Sequence, residues 1–344
     1  MGNNEKDEKK IRNEKEGLLN FSKEMISALL TAFVFIVYVI QAFTIPTGSM
    51  EKSLLVGDFL LGVKFIYGAP VLPNIPFVWE NFWKFPGFAD PKRGDVVIFK
   101  YPGGEKKDYI KRCVAVAGDS VEINIKKLIV NNREIVPPPN ARWEHGGNLR
   151  VGIFDKLYIP KKGDTIDIAN APLREFIYYK HLVRQEHPYS KIRDEYRLIV
   201  DEKDFSDSII SFESPQYGNL EGKFSLNDFD KLANFSDWTL YAYQFDLFLQ
   251  QFPPERNAKI EKKLLLDGQE ISQYVCKYDN YFMMGDNRDN SADSRYWGFV
   301  NRNFIKAKAM IIYFSLKPEA PLHLLPIKIR WERLGKLIRN WDGE

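Results

Sequence analysis

The clearest pattern along the chain is an uncharged apolar run near its N-terminus. Residues Met25–Phe43 read MISALLTAFVFIVYVIQAF, and no charged residue occurs from Met25 to Met50. The run is long enough to cross a bilayer core of ~30 Å as a helix, and it lacks the polar face of a buried soluble helix. A cleaved signal peptide has a shorter apolar region and a small-residue exit site. The pattern therefore predicts a tail over 1–24 and a single transmembrane anchor over 25–44.

Beyond the anchor, the apolar positions predict β-strands. Short runs rich in β-branched and aromatic residues are bounded by Gly, Asp and Pro turn signals, which is typical of strands. The predicted strands lie within 94–100, 109–117, 120–123, 260–266, 274–284 and 307–316. We expect a mostly β domain assembled from 45–136 and 261–344.

The pattern changes between these two halves. Pro137-Pro138-Pro139 opens a stretch that is dense in Lys, Asp and Tyr and has few strong alternations. We predict an inserted second domain, a cap over 137–260, partly helical around Leu240–Phe252.

Two other segments resemble membrane-surface elements. Phe59–Val78 contains Lys64 and several Pro and Gly residues, so we do not expect it to cross the membrane. Together with the aromatic residues over 77–88 it fits either a segment resting at the membrane interface or an ordinary aromatic core. The segment 327–339 mixes basic and apolar residues and also fits contact with anionic lipid.

Charge predicts the orientation of the anchor. Six basic residues precede the span, whereas Lys52 and Lys64 follow it; the six are Lys6, Lys9, Lys10, Arg12, Lys15 and Lys23. The positive-inside rule then places the tail in the cytoplasm and the rest of the chain outside. The formal net charge of the 344 residues is only +3, which does not favour a nucleic-acid partner. Cys113 and Cys276 show no CxxC spacing, and we expect two buried free thiols rather than a metal site.

Candidate chemistry begins directly after the anchor. Ser49 follows Gly48 in a turn fixed by Pro46, which suits either a nucleophile or a structural turn. A serine nucleophile needs a base, and none of the four histidines lies beside a motif that would orient it. Lys111, in the middle of a predicted strand, fits that need if burial favours its neutral form, although such a lysine is more often a strand-edge residue.

A third signal is the polar loop Gly285–Phe299, which reads GDNRDNSADSRYWGF. It follows a predicted strand and holds more hydrogen-bonding groups than a solvated turn needs. We interpret it as a polar network held against a packed surface.

In this order, the three signals resemble the bacterial type I signal peptidases. The resemblance covers the anchor junction through Ser49 and Gly57-Asp58-Phe59, then 91–102, 108–112 and 283–300. It implies a membrane-anchored serine endopeptidase of the signal-peptidase fold: mostly β, with an N-terminal transmembrane helix, a β-rich catalytic domain and an inserted second domain. The segment from about 137 to 275 matches the family only in position.

The resemblance also assigns roles to residues. It makes Ser49 the nucleophile and Lys111 the general base, with Thr47 and the Ser49 N–H as the oxyanion hole. Ser291 corresponds to a hydroxyl that orients the lysine, and Gly285 to a position of close backbone approach. Asp293 and Arg295 correspond to an ion pair that supports the loop.

The implied substrate is a signal peptide with small residues at −1 and −3, an Ala-X-Ala site. We expect the substrate pocket to be formed by Phe43, Ile45, Pro46, Met50, Leu54, Ile98, Tyr109 and Ile110. Glu51 and Lys52 depart from the family pattern, and we expect both side chains to point to solvent or lipid headgroups.

The resemblance implies an acyl-enzyme mechanism with no metal or organic cofactor, at the bacterial cytoplasmic membrane. Its implied partners are exported preproteins, the lipid bilayer and, by proximity, the secretion translocon, with no nucleic acid. Two alternatives remain at this stage: a membrane-tethered binding protein with a vestigial site, and a Ser-Lys protease with a narrow client.

Overall fold

The computed structural model describes most of the chain. Its described residues are 2–70, 84–102, 107–124, 126–143, 154–204, 212–214, 218–220, 257–319 and 325–341. The predicted helix around Leu240–Phe252 and the aromatic residues over 77–83 lie outside them.

The N-terminal helix is longer at its start and shorter at its end than predicted. Helix α1 spans Gly2–Val34 and continues as a π-helical turn over Phe35–Val39. The part over Gly17–Val39 is long and apolar enough to cross a membrane, and none of it is buried in the protein. The predicted span through Phe43 is wrong at its C-terminal end, because Ile40–Thr44 is a strand.

Two factors end the helix before Ile40: the local sequence favours extended backbone, and the following residues pair with a neighbouring strand. The residues Phe35-Ile36-Val37-Tyr38-Val39-Ile40 are aromatic or β-branched, and such residues favour extended backbone. The strand over Ile40–Thr44 then finds an antiparallel partner, with Ile40 opposite Val63 and Thr44 opposite Phe59. The chain therefore passes from the membrane span directly into a sheet.

The main sheet has eight strands, numbered along the chain. They are β1 (Ile40–Thr44), β2 (Asp58–Val63), β3 (Val96–Lys100), β4 (Asp108–Ala115), β17 (Asn280–Met284), β18 (Val300–Asn301), β19 (Ile305–Ser315) and β20 (Lys336–Leu337). Their spatial order is β1-β2-β19-β3-β4-β17-β18, with β20 also paired to β19. All of these pairs are antiparallel.

Smaller sheets and pairs complete the described strands. One sheet holds β5 (Ser120–Asn124), β6 (Lys127–Val130), β7 (Arg133–Glu134) and β8 (Phe154–Tyr158). A second holds β10 (Ile192–Val200), β11 (Lys203–Asp204), β14 (Ala258–Leu266) and β15 (Gln269–Glu270). The pairs are β9 (Thr165–Asp167) with β16 (Gln273–Val275), and β12 (Phe212–Ser214) with β13 (Gly218–Leu220).

Three further helices are described: α2 (Leu173–Glu186), α3 (Ser294–Trp297) and α4 (Leu325–Lys328). The mostly β prediction is confirmed, and each predicted strand has a counterpart in the structure. The single strand predicted over 274–284 is two strands in the structure, β16 and β17.

Strand β3 lies between two hydrophobic clusters. Val97 and Phe99 belong to a large cluster, whereas Val96 and Ile98 belong to a small one with Ile45. This is the alternation expected when both faces of a central strand are covered. Strand β4 places Tyr109 against the large cluster and Ile110 against the small one.

The large cluster also contains residues of the predicted cap. Phe176 and Leu182 of α2 lie in the same cluster as Met283 and Trp297. Strand β14 runs across the predicted boundary at 260 and pairs with β10. The division at 137 and 260 stays a prediction, and the described part of the insert shares a core with the catalytic region.

Both cysteines are free and buried, as expected. Burial raises the pKa of the Cys276 thiol to about 12 and that of Cys113 well above its usual value. Neither thiol is therefore ionised at neutral pH.

Candidate active site

Ser49 lies in a short turn that leaves the main sheet. After β1, the Ile45 N–H donates to the Asp58 carbonyl at 2.9 Å, which keeps this segment beside β2. Thr47 is extended, and Gly48–Met50 forms a single 3-10 turn. Met50 is 1% exposed in the small hydrophobic cluster, so the turn is anchored directly next to the serine.

Lys111 approaches this serine from the middle of β4. Its amine donates to Ser49 Oγ at 2.7 Å and to the Ile110 carbonyl at 3.0 Å. The Nζ atom also lies 5.2 Å from the centre of the Tyr109 ring. The side chain is 2% exposed, so water does not compete for the amine.

Burial determines the charge state of this amine. It lowers the pKa of Lys111 from 10.5 to about 8, against the opposing influence of the Asp293 and Asp286 carboxylates. A buried ammonium loses hydration, which favours the neutral form. Near pH 8 a substantial fraction of the amine is therefore free to accept a proton.

The polar loop after β17 is a network of buried ion pairs. Arg295 donates from Nε to Asp293 Oδ1 and from a terminal nitrogen to Oδ2, each at 2.8 Å. Asp293 also accepts from the Gly285 N–H at 3.0 Å. Burial alone would raise the pKa of Asp293, but the Arg295 guanidinium holds it below its usual value. The predicted Asp293–Arg295 pair is present, and it closes the loop on itself.

Gly285 is the point of closest approach between this loop and the serine turn. A Cβ atom at this position would lie 2.2 Å from Ser291 Oγ and 2.5 Å from the Ser49 carbonyl oxygen. Real Cβ atoms do not approach that closely, so a side chain here would displace the turn. The predicted close backbone approach is therefore seen in the structure.

Ser291 and Thr47 both lie close to the Ser49 turn. The Ser291 hydroxyl is buried, and the described residues show no hydrogen bond between it and the Lys111 amine. Thr47 is exposed and lines the groove beside Ser49. The orienting role of Ser291 and the oxyanion role of Thr47 stay predictions.

A groove of about 600 Å³ opens at Ser49 and Lys111. Six of the eight predicted pocket residues line it: Phe43, Ile45, Pro46, Met50, Tyr109 and Ile110. Leu54 and Ile98 are not among the described residues that line it, and their role in the substrate pocket stays a prediction. Both are fully buried in the small hydrophobic cluster, where they support the groove from inside the fold.

Several residues of the site escaped the sequence analysis. Arg112 forms a buried two-point ion pair with Asp286, at 2.8 and 2.7 Å. Asn287 donates its backbone N–H to the Ser49 carbonyl at 3.1 Å and its side-chain amide to the Gly48 carbonyl at 3.0 Å. The only signal for them was their position inside the polar loop or beside Lys111, because the partners are far apart in sequence.

The two charged residues after Met50, Glu51 and Lys52, differ in their contacts. Lys52 is exposed, as expected. The Glu51 side chain is 47% exposed, and its carboxylate also accepts from Arg142 at 3.4 Å and from the Asn287 amide at 3.3 Å. Glu51 therefore reaches solvent, as expected, and at the same time contacts two donors next to the serine turn.

A family model assigns the chain to a known class of enzyme. The model described as signal peptidase, peptidase S26, matches residues 18–152 and 241–314, which together exceed half of the chain. The chain belongs to the signal peptidase S26 family. Family membership makes it a serine endopeptidase acting on signal peptides, and with the apolar helix α1 it supports a membrane anchor. The predicted enzyme class is confirmed.

Curated relatives agree with this assignment. The chain is 28% identical over 313 residues to the signal peptidase I of Buchnera aphidicola subsp. Baizongia pistaciae, covering 90% of this chain and 80% of the relative. It is also 28% identical to that of Helicobacter pylori strain J99, covering 94% and 93%. A crystal structure of a signal peptidase I from Enterococcus faecalis V583 is similar at 16% identity over 64% of this chain and 97% of that one, with a TM-score of 0.22.

Proposed function

We propose that Ser49 and Lys111 form the catalytic dyad of a signal-peptide endopeptidase. The observation that supports this most strongly is the 2.7 Å contact between Lys111 Nζ and Ser49 Oγ, with the lysine almost fully buried. A hydroxyl needs an adjacent base to act as a nucleophile at neutral pH. A buried amine with a lowered pKa supplies that base without a histidine.

The reaction proceeds through an acyl-enzyme. The neutral Lys111 amine takes the Ser49 proton while Oγ attacks the carbonyl of the residue at −1. The protonated amine then donates to the departing amide nitrogen, which completes peptide-bond cleavage. Lys111, neutral again, takes a proton from a water molecule as its oxygen attacks the ester carbonyl. The bond between that carbonyl carbon and Ser49 Oγ then breaks, the protonated amine returns the proton to Oγ, and the signal peptide leaves with a free carboxylate.

The surroundings of the dyad fit the charge that develops in these steps. Negative charge forms on the carbonyl oxygen, and the Ser49 N–H with the Thr47 hydroxyl provides two donors at that position. Apolar walls such as Phe43 and Ile45 suit small apolar side chains at −1 and −3, so we propose cleavage after Ala-X-Ala sites. The Asp293–Arg295 pair holds the loop behind Lys111 without adding net charge.

The orientation of the anchor is part of the same proposal. The tail before Gly17 lies in the cytoplasm, and the groove lies on the outer side of the membrane. This arrangement presents Ser49 to signal peptides as they emerge from the bilayer or the translocon. A protease added outside sealed, right-side-out membrane vesicles would then digest the catalytic region and spare the tail.

The deciding experiment is cleavage of an exported preprotein by the purified full chain in detergent. We expect cleavage at the Ala-X-Ala junction, with the rate reduced on the order of 10⁴-fold or more in Ser49→Ala and in Lys111→Ala. Lys161→Ala, at an exposed position, is the matched control and should cleave normally. Full activity in Lys111→Ala would contradict the dyad, whereas a folded but inactive wild type would favour a narrow client.

A further inference from the structure

A second cavity, of about 140 Å³, adjoins the polar loop. Among the described residues, five cationic side chains line it, together with the carboxylate of Glu134; the five are Arg93, Arg112, Lys126, Lys127 and Arg288. One water molecule needs on the order of 10–15 Å³ of cavity space, so a polyatomic ligand fits. The excess of positive groups indicates that such a ligand is an anion.

Three of these cations are already neutralised by an acidic partner. Arg112 is engaged by Asp286, as described above. Arg93 forms an ion pair with Asp119, and Lys127 forms one with Glu134.

Arg288 is different. It is 3% exposed, and its Nε has no hydrogen-bond partner among the described residues. One of its terminal nitrogens donates to the Met284 sulfur at 3.4 Å, which is a weak acceptor. The acids that act on it electrostatically, Asp286 and Asp293, are each held by another arginine.

A buried guanidinium in this state requires a counter-charge. Burial lowers the pKa of Arg288, but only to about 10, so the group is charged at neutral pH. A buried ion without a partner is strongly destabilising. Guanidinium groups match the geometry of phosphate oxygens through paired N–H donors, which makes a phosphate group a suitable ligand for Arg288.

We propose that this cavity is a binding site for a phosphate group, with Arg288 as its buried ligand and Lys126 as a cation in its wall. The site lies on residues separate from the substrate groove, and it does not depend on the proposed reaction. The phosphate group has two sources of the same chemistry: free phosphate or an anionic lipid headgroup.

The first test titrates the full chain in detergent with inorganic phosphate at pH 8, replacing chloride at constant ionic strength. Trp143 and Trp341 line the cavity, so tryptophan fluorescence and the thermal midpoint both report occupancy. We expect a saturable fluorescence change and a raised midpoint. Lys126→Asn keeps the left-handed backbone at φ 66 and should weaken binding by about tenfold.

Two variants complete the design. Lys161→Asn removes the same charge from an exposed position outside the cavity and should bind like the wild type. Arg288→Met should abolish saturation, and Lys126→Asn decides the result if Arg288→Met does not fold. Equal binding by Lys126→Asn and the wild type would overturn the site.

A parallel arm replaces free phosphate with nanodiscs that contain phosphatidylglycerol. Stabilisation by these nanodiscs, lost in Lys126→Asn while free phosphate has no effect, would identify a lipid headgroup as the source. If neither probe stabilises the wild type, the proposal is wrong. The partner of Arg288 is then sought within the chain, where Glu144 lies outside the described residues.

Discussion

At the scale of single residues, two opposing influences set the protonation state of the Lys111 amine. Burial favours its neutral form, whereas the carboxylates of Asp293 and Asp286 favour the charged form. Each carboxylate is bound by its own arginine, which offsets much of the negative charge near the amine. The loop therefore supplies rigid polar support without turning Lys111 into a permanent cation.

This balance predicts the pH dependence of the reaction. Lys111 must be neutral to act as a base, so kcat should be low below pH 7 and rise through a midpoint near the Lys111 pKa of about 8. Activity lost at acidic pH should return when the pH is raised again. The measurement is the steady-state rate on a preprotein between pH 5.5 and 10, and a flat profile would contradict the assigned base.

Thr47 offers a second test at the same scale. Thr47→Val removes the hydroxyl but keeps the shape of the side chain, and we expect kcat to fall on the order of 10²–10³-fold with little change in KM. Thr47 is exposed, so the variant should fold. Thr47→Ser restores a hydroxyl and should recover most of the rate. Equal kcat values for the Val and Ser variants would remove Thr47 from the oxyanion hole.

At the scale of elements, strands were predictable and contacts between distant segments were not. The alternation in Val96–Lys100 and the β-branched run around Lys111 identified β3 and β4 correctly, because both patterns report local burial. The end of α1 was misplaced, since an apolar run fits a helix or a strand until its partner β2 is known.

The pairs Arg112–Asp286 and Asn287 with the Ser49 turn show the same limit. Their members lie more than 170 residues apart in sequence. Only the resemblance to a family connected Ser49, Lys111 and the polar loop. Residues outside the motifs that carry it, such as those of α2, had no signal of a role near the site.

Helix α2 supports the polar loop from the predicted cap. The Tyr178 hydroxyl donates to the Arg295 carbonyl at 2.6 Å, and its ring lies so close to Gly298 that a Cβ there would clash at 2.7 Å. Gln185 donates to the Phe299 carbonyl at 2.9 Å and accepts from the Asn301 N–H at 2.9 Å. The helix thus fixes both the loop and the strand that follows it.

Removing the Tyr178 hydroxyl tests this support. Tyr178→Phe leaves the buried Arg295 carbonyl without that donor, and we expect a loss of about 1–3 kcal/mol in the free energy of unfolding. Denaturant unfolding of the full chain in detergent measures the loss. Tyr189→Phe is the matched control, because Tyr189 is 79% exposed. Equal stability of the two variants would show that α2 does not hold the loop through this bond.

At the scale of the whole molecule, the C-terminal segment returns to the start of the catalytic region. Arg333 donates from Nε to Asp58 Oδ1 at 2.9 Å, and Asp58 also accepts from the Ser315 hydroxyl at 2.6 Å and the Leu55 N–H at 2.7 Å. Asp58 is fully buried. One carboxylate therefore joins β2, β19, the segment after Ser49 and the C-terminal segment.

Loss of Arg333 should destabilise the fold as a whole. Arg333→Ala leaves Asp58 buried beside weaker donors, and breaking a buried ion pair costs about 3–5 kcal/mol. Lys336→Ala, at an exposed position three residues later, should change the free energy of unfolding by less than about 0.5 kcal/mol. A thermal midpoint for Arg333→Ala equal to that of Lys336→Ala would refute a structural role for the pair.

The direct passage from helix α1 into β1 limits the distance between the end of the apolar span and Ser49. Nine residues lie between the last helical residue, Val39, and Ser49, and five of them belong to β1. An extended chain covers at most ~3.3–3.6 Å per residue, so Ser49 stands within about 35 Å of the end of the span. No loop separates the helix from β1, so this distance is fixed by the sheet. We therefore predict that substrates are selected by length as well as by side chain, because a cleavage site would have to emerge at the one level above the bilayer that the strand sets.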